Sequence, residues 1–429
     1  MSAATTSGAA GWRAWATPAT WLDERGRRCP APVIALGRAA GRHPGGSLLA
    51  VLSTDPAAEV DVPAWARLRG ATYLGHDDPP DGGEGRAHLV RTAAPARTLG
   101  VNHVGVSVSD LDAARGFWVE QLGFVEVGGW TWPVGTAPSD AALDLEGTSA
   151  SVALLRAGSM HLELFEFHAP APAPRDPSAA VAAGLGHVAL AVTDVAAVTA
   201  RLGAAGAPVL AEPGAGEGAA GAAWVADPDG NLVELVTAAP GRGYGLGGLE
   251  VRAHPPAGPD DPAPTAPRRD DVLGVHHVAI GVAGAPGSGA ARWATYADAR
   301  AGTAQPWPPR DLPGAVTGAR ALDAGCRAGV LLDAGNVRLE VVAADDVPPR
   351  GICDLGYNHV CLDVEGIDAW PERLALGQVR WHHDVVQSSG GIAAVRYGRE
   401  EGGVVIELLE NRSSQAMLWC GHLPGLTPR

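Results

Sequence analysis

Short apolar runs separated by glycine- and proline-rich breaks make up most of the chain, and four of them share one layout. LGVNHVGVSV (99–108), GLGHVALAV (184–192), LGVHHVAIGV (273–282) and LGYNHVCLDV (355–364) each place one histidine at the same point: His103, His187, His277 and His359. Four later runs, MHLELFEF (160–167), NLVELVTA (231–238), VRLEVVAA (337–344) and VVIELLEN (404–411), alternate around one glutamate: Glu163, Glu234, Glu340 and Glu407. Alternation with period two predicts strands with one buried face. A carboxylate at the same point of four such strands is costly unless something compensates its charge.

The histidine-to-glutamate separations run long, short, long, short: 60, 47, 63 and 48 residues. His277 follows His103 by 174 residues and His359 follows His187 by 172, which identifies a duplicated two-module unit. In the first two modules the histidine strand leads into SDLDAARGFWVEQL (109–122) and TDVAAVTARLGAAG (193–206). Both open on Ser or Thr followed by Asp, which cap helix starts. Three strands follow, the last with the glutamate, so each module reads βαβββ.

NHVGVSVSDLDAARGFWVEQLGF and VADPDGNLVELV resemble the first- and last-strand signatures of the vicinal-oxygen-chelate superfamily (glyoxalases, bleomycin-resistance proteins, extradiol dioxygenases), and the likeness extends over about 99–411. It implies paired modules, each pair a cupped sheet, with metal ligands from the first and last strands of both members. With neighbours paired, modules 97–170 and 183–240 form one pair over 97–240, and modules 271–346 and 353–415 form the other over 271–415. One site is then His103, Glu163, His187 and Glu234; the second is His277, Glu340, His359 and Glu407. Two imidazoles and two carboxylates suit a borderline divalent ion, Fe(II), Mn, Co, Ni or Zn, with positions left for a substrate oxygen. His382 and His383 stand as outer residues that could support a site. The stretch 241–270 reads as a Pro/Gly-rich linker.

The first hundred residues stand outside the repeat. They read as a strand (WLDERG), a helix (VIALGRAAGRH), a strand (SLLAVLST), the unassigned DPAAEVDVPAWARLRG and a strand-like HLVRTA. Pro30 and Pro32 fit a helix's first turn and place Cys29 beside its N-terminus. There the helix dipole favours a thiolate, and Arg25, Arg27 and Arg28 are near in sequence to add to the effect. LDERGRRCPAP, followed by DPAAEVDVPAW, resembles the TusA-like (SirA-like) sulfur-carrier family, a small two-layer α/β domain over 18–96 here. The resemblance implies that Cys29 carries a persulfide. Segment 77–98 reads as a boundary long enough to permit movement.

The expected fold is therefore α+β, a two-layer carrier domain followed by four βαβββ modules in two cupped-sheet domains. A net charge of −15 over 429 residues argues against nucleic-acid and anionic-membrane surfaces. No apolar run is long enough to span a bilayer and no signal peptide is evident, so a cytoplasmic protein is expected. Five cysteines (29, 326, 353, 361 and 420) without a C-x-x-C argue against a disulfide framework. Cys353 and Cys361 read as packing residues. The joint reading is a metalloenzyme of sulfur metabolism. Cys29 takes sulfur from a donor such as a cysteine desulfurase or rhodanese-like protein and passes it to a small molecule polarised at the metal. Iron(II)- and O₂-dependent oxidation, or ligand binding without chemistry, remain open alternatives.

Overall fold

The computed structural model describes residues 18–43, 45–158, 160–174, 184–212, 222–237, 269–282, 286–298, 305–307, 329–343, 351–374, 379–387 and 393–411. Cys326, Cys420 and nearly all of the 241–270 linker lie outside these residues.

The carrier segment forms β1 (Thr20–Asp23), α1 (Ala31–Ala40), β2 (Leu48–Ser53), α2 (Ala58–Leu68), β3 (Thr72–Asp77) and β4 (Arg86–Arg91). The sheet order is β1-β2-β4-β3, with β1 and β2 parallel. Both helices bury small apolar residues on it: Leu36 and Ala39 from α1, and Ala58, Val62 and Ala66 from α2. The i, i+4 spacing of the latter three makes α2 a helix despite Pro63 inside it, because burying that stripe outweighs one lost backbone bond. Most of 77–98 is structured, since β4 pairs with β2 and β5 begins at Arg97. The expected long mobile boundary is thus corrected to a short 92–96 connection.

Module 1 contains β5 (Arg97–Ser107), α3 (Leu111–Arg115, continuing in a wider turn to Gln121), β6 (Val125–Trp132), α4 (Ala137–Leu143), β7 (Ser149–Ala157) and β8 (Met160–Ala169). Module 2 contains β9 (Gly184–Val192), α5 (Val195–Ala204), β10 (Val209–Ala211), β11 (Ala222–Ala226) and β12 (Leu232–Thr237). Module 3 contains β13 (Val272–Val282), α6 (Pro286–Tyr296), β14 (Gln305–Trp307), β15 (Gly329–Asp333) and β16 (Arg338–Ala343). Module 4 contains β17 (Gly356–Glu365), a short helical stretch with α7 (Trp370–Arg373), β18 (Val379–Trp381), β19 (Val386–Gln387), β20 (Ala393–Glu400) and β21 (Val405–Asn411). The Asp110 and Asp194 carboxylates cap α3 and α5 by accepting backbone N–H bonds, as their sequences predict.

The modules do not pair with their neighbours in sequence. β5 runs antiparallel to β17, and β9 runs antiparallel to β13, so module 1 joins module 4 and module 2 joins module 3. This corrects the expected 97–240 and 271–415 pairs. In a repeat every first strand offers the same edge, and side chains at the seam select the partner. Gly105 lies opposite His359, where a Cβ would collide with His359 Nδ1 and Asn358 Oδ1. Ser107 accepts a hydrogen bond from Asn358 Nδ2 across the same seam. One apolar core draws on all four modules, from Val104 and Trp118 through Leu190 and Trp293 to Trp370 and Leu408.

The carrier docks on module 4 by one end of its sheet. Thr72 donates to Asp368, Arg91 lies 3.8 Å from the buried Glu410, and Gly366 packs against the backbone at Ala94 and Pro95.

Candidate metal centres and the carrier cysteine

Strand alternation turns His103, Glu163, His359 and Glu407 to one face of the module 1–4 sheet, and the parallel pairs β5·β8 and β17·β21 bring them together. His103 Nε2 lies 3.2 Å from Glu163 Oε2 and 3.0 Å from Glu407 Oε2. His359 Nε2 lies 3.3 Å from each. The two Nε2 atoms are 3.1 Å apart, and all four side chains are at most 1% exposed. Call this cup A.

Its neighbours determine which imidazole nitrogen faces inward. Ser107 Oγ–H donates to the Ile352 carbonyl, so Oγ accepts from Asn358 Nδ2, which leaves Asn358 Oδ1 to accept from His359 Nδ1–H at 2.6 Å. Asn102 Oδ1 stands 2.9 Å from His103 Nδ1 in the same role. In its neutral form each imidazole therefore holds its proton on Nδ1 and turns an Nε2 lone pair inward. Two nitrogen lone pairs and two carboxylate oxygens then face one another in a dry space. Glu163 Oε2 and both Glu407 oxygens accept no well-formed hydrogen bond there. A divalent cation satisfies all four at once, so these residues fit a metal ion. Burial opposes charge on the imidazoles, but Cys361 with Glu163 and Glu407 at His103, and the two glutamates at His359, outweigh it and hold both above the usual imidazole range. The imidazoles in turn hold both glutamates below the usual carboxylate range despite burial.

Trp132, Phe165, Phe167, Leu154 and Tyr397 line this face. The Phe165 and Tyr397 rings stand 5.9 and 5.7 Å from His359. Tyr397 lies directly across from Glu407, and burial with that charge holds its phenol well above the usual range. Cys361 is buried opposite His103 in the same apolar lining, and Cys353 is buried there too.

His187, Glu234, His277 and Glu340 form cup B. His187 Nε2 lies 3.4 and 3.5 Å from the Glu234 and Glu340 oxygens, and His277 Nε2 lies 3.2 and 3.3 Å from them. Trp224, across from Glu234, packs edge-on to His187 at 4.7 Å. His187 is 12% exposed and follows a glycine; His277 follows His276 in place of the asparagine. His276 Nδ1 meets His277 Nδ1 at 2.8 Å, and its Nε2 meets the buried Arg338 guanidinium at 3.3 Å.

All eight sequence-predicted residues thus cluster, but in regrouped quartets. His103 and Glu163 join His359 and Glu407, while His187 and Glu234 join His277 and Glu340, because the modules pair 1 with 4 and 2 with 3. His382 bonds to the Ala142 carbonyl, and His383 Nε2 accepts the Tyr397 backbone N–H; neither joins the four donors of cup A. The sequence reading missed Asn102, Asn358 and Tyr397. Their signals were present: an Asn-His pair opens modules 1 and 4, and an aromatic stands ten residues before Glu234 and Glu407.

Cys29 does sit just before α1, but its surroundings oppose a thiolate. Arg25 is committed to Asp23 and Asp81, and Arg27 to Glu24. Asp55 accepts the Cys29 backbone N–H at 2.6 Å. Partial burial, then the Asp61 and Asp55 carboxylates, push the thiol up to about 12. The expected arginine stabilisation is therefore corrected: acids, not free guanidiniums, face the sulfur. Cys29 also lies at the Asp23/Ser53 end of the carrier sheet, whereas docking uses the Thr72/Arg91 end. Across the six residues of β2 the two ends are about 17 Å apart.

Residues 21–90 match the family described as Sulfurtransferase TusA, and residues 100–235 match the Glyoxalase/Bleomycin resistance protein/Dioxygenase superfamily. No curated protein matches the sequence significantly. Similar solved structures include glyoxalase I from Zea mays, 15% identical, covering 74% of this chain and 93% of that one at a TM-score of 0.46. A putative dioxygenase from Bacillus subtilis is 15% identical over 77% of this chain and 92% of its own, TM-score 0.48. The antibiotic-binding protein TnmS3 from Streptomyces is 23% identical over 32% of this chain and 95% of its own, TM-score 0.22. Among the described residues no helix is long and apolar enough to cross a membrane.

Proposed function

We propose, taking the chain as a TusA-type carrier domain joined to glyoxalase-type modules, that it is a metal-dependent enzyme transferring sulfur from Cys29 to a small molecule. The observation that carries this reading is the convergence of four donors in cup A, beside a domain of the sulfur-carrier family. His103, Glu163, His359 and Glu407 would hold the ion, which when bound would supply Lewis acidity toward a substrate oxygen.

The chain's own residues account for the rest. Asn102 and Asn358 hold the imidazoles in the ligating tautomer. Trp132, Phe165 and Phe167 exclude water and suit a flat or apolar substrate part. A cup carboxylate, with the Tyr397 phenol across from it, is placed to take a proton from a carbon beside that oxygen. That carbon then attacks the terminal sulfur of Cys29–S–SH. The C–S bond forms, the S–S bond breaks, and Cys29 leaves as a thiolate that a proton re-forms into the thiol. This balances without an external reductant. The position of Cys29 requires that the sulfur be presented after the carrier leaves its dock, or by another chain. A desulfurase or rhodanese-like partner would reload Cys29.

The test loads purified protein with sulfur from a cysteine desulfurase and follows the mass gain of one sulfur atom, with and without metal and a small-molecule extract. Loading should vanish in Cys29→Ala. Loss of the label to small molecules should need metal and vanish in Glu407→Gln. Label loss indifferent to the metal would refute the reading.

A further inference from the structure

The two cups are wired with opposite proton polarity. In cup A each Nδ1–H donates to an asparagine oxygen, which leaves Nε2 as a lone pair in the neutral imidazole, ready for a metal. In cup B the chain of contacts starts at Arg338, whose guanidinium can only donate. At 3.3 Å it donates to His276 Nε2, so His276 in its neutral form carries its proton on Nδ1. That proton points at His277 Nδ1, 2.8 Å away, which must accept it. The His277 proton is thereby left on Nε2, the atom facing Glu234 and Glu340 at 3.2 and 3.3 Å. A carboxylate pair accepts such a proton well, and a metal ion cannot share it.

The geometry points to one tightly held metal ion per chain, in cup A, with cup B disfavoured for metal by the Arg338–His276–His277 relay. To ligate through Nε2, His277 would need its proton on Nδ1. His276 would then carry its own proton on Nε2, against the guanidinium, with two donors facing each other among residues 4% and 2% exposed. The preceding residue also differs on the other side of the cup. His187 follows Gly186, which has no side chain to orient it, whereas both cup A histidines follow asparagine. Cup B is then a hydrogen-bonded His–Glu cluster that joins module 2 to module 3. By the usual weight of groups that orient ligands, its metal affinity should be about 10–100-fold below that of cup A.

This inference rests on the reading that cup A is a metal site. The experiment titrates metal-free full-length protein with Co(II) by calorimetry and counts bound metal by elemental analysis after gel filtration. One tight equivalent is expected, abolished by Glu407→Gln and untouched by Glu340→Gln. His276→Asn, which restores the Asn-His pair of modules 1 and 4, should open cup B and raise the count to two. Nitrogen-15 spectra of the histidine rings in the metal-free wild type should show His277 protonated on Nε2, and this readout stands even if His276→Asn fails to fold. Two equivalents of like affinity in the wild type, or a folded His276→Asn protein that still binds one, overturns the inference alone. Zero equivalents overturns the metal reading of cup A and this inference with it.

Discussion

Cys29 shows how far a motif and its surroundings can diverge. A cysteine before a proline-opened helix, in a run with three arginines, reads as an activated thiol. In the fold Arg25 and Arg27 find acids of their own, and Asp55 and Asp61 turn toward the sulfur. The thiol should stay protonated through neutral pH, and its alkylation rate should climb about tenfold per pH unit up to about 12. Asp61→Asn removes one opposing charge and should raise the alkylation rate severalfold at pH 8, as followed by mass spectrometry. An unchanged rate would mean that burial alone sets the thiol.

Along the strands, the same alternation that places the ligands also half-buries a carboxyl, Asp363, beside other acids. Asp363 lies four residues beyond His359 on β17, and burial, then Glu365 and Glu410, push its carboxyl up to about 6. A carboxyl whose folded-state pKa is raised helps stability fully only below its unfolded value, near 4, and that help is lost as pH rises toward 6. Asp363→Asn should therefore stabilise the protein by about 2 kcal/mol at pH 7.5 and have little effect near pH 4, as thermal melts at the two pH values would read. Equal shifts at both would place the effect in packing rather than charge. The βαβββ elements themselves were legible in the sequence because period-two burial and Ser/Thr-Asp caps are local signals. The helix over 58–68 was not, since Pro63 masks an alanine–valine stripe whose value appears only once a sheet lies beneath it.

For the whole molecule, the proposed delivery of sulfur from Cys29 is constrained by the N-terminal domain's docked position. Arg91 and Glu410 meet where the carrier sheet abuts module 4, and Glu410 is only 2% exposed. Arg91→Ala should cost about 2 kcal/mol, less than for a fully dry pair because Arg91 keeps some water contact. It should also speed proteolysis within 92–96, with cleavage separating a carrier fragment from an intact body. If the carrier must undock to deliver sulfur, this variant should discharge a loaded Cys29 no more slowly than the wild type. The undocking route is excluded if discharge slows in a carrier thus freed.

By itself the sequence determined the four modules, the eight histidines and glutamates, and Cys29 in its proline-flanked motif, because each is written as a local pattern repeated or spaced along the chain. Only the tertiary structure decided which module meets which. Four equivalent strand edges can pair in several ways with the same alternation, and Gly105, Ser107 and Asn358 choose among them by contacts between residues 251 or more positions apart. The same holds for the difference between the cups. The direction of a proton along Arg338, His276 and His277 exists only when β13 and β16 lie side by side.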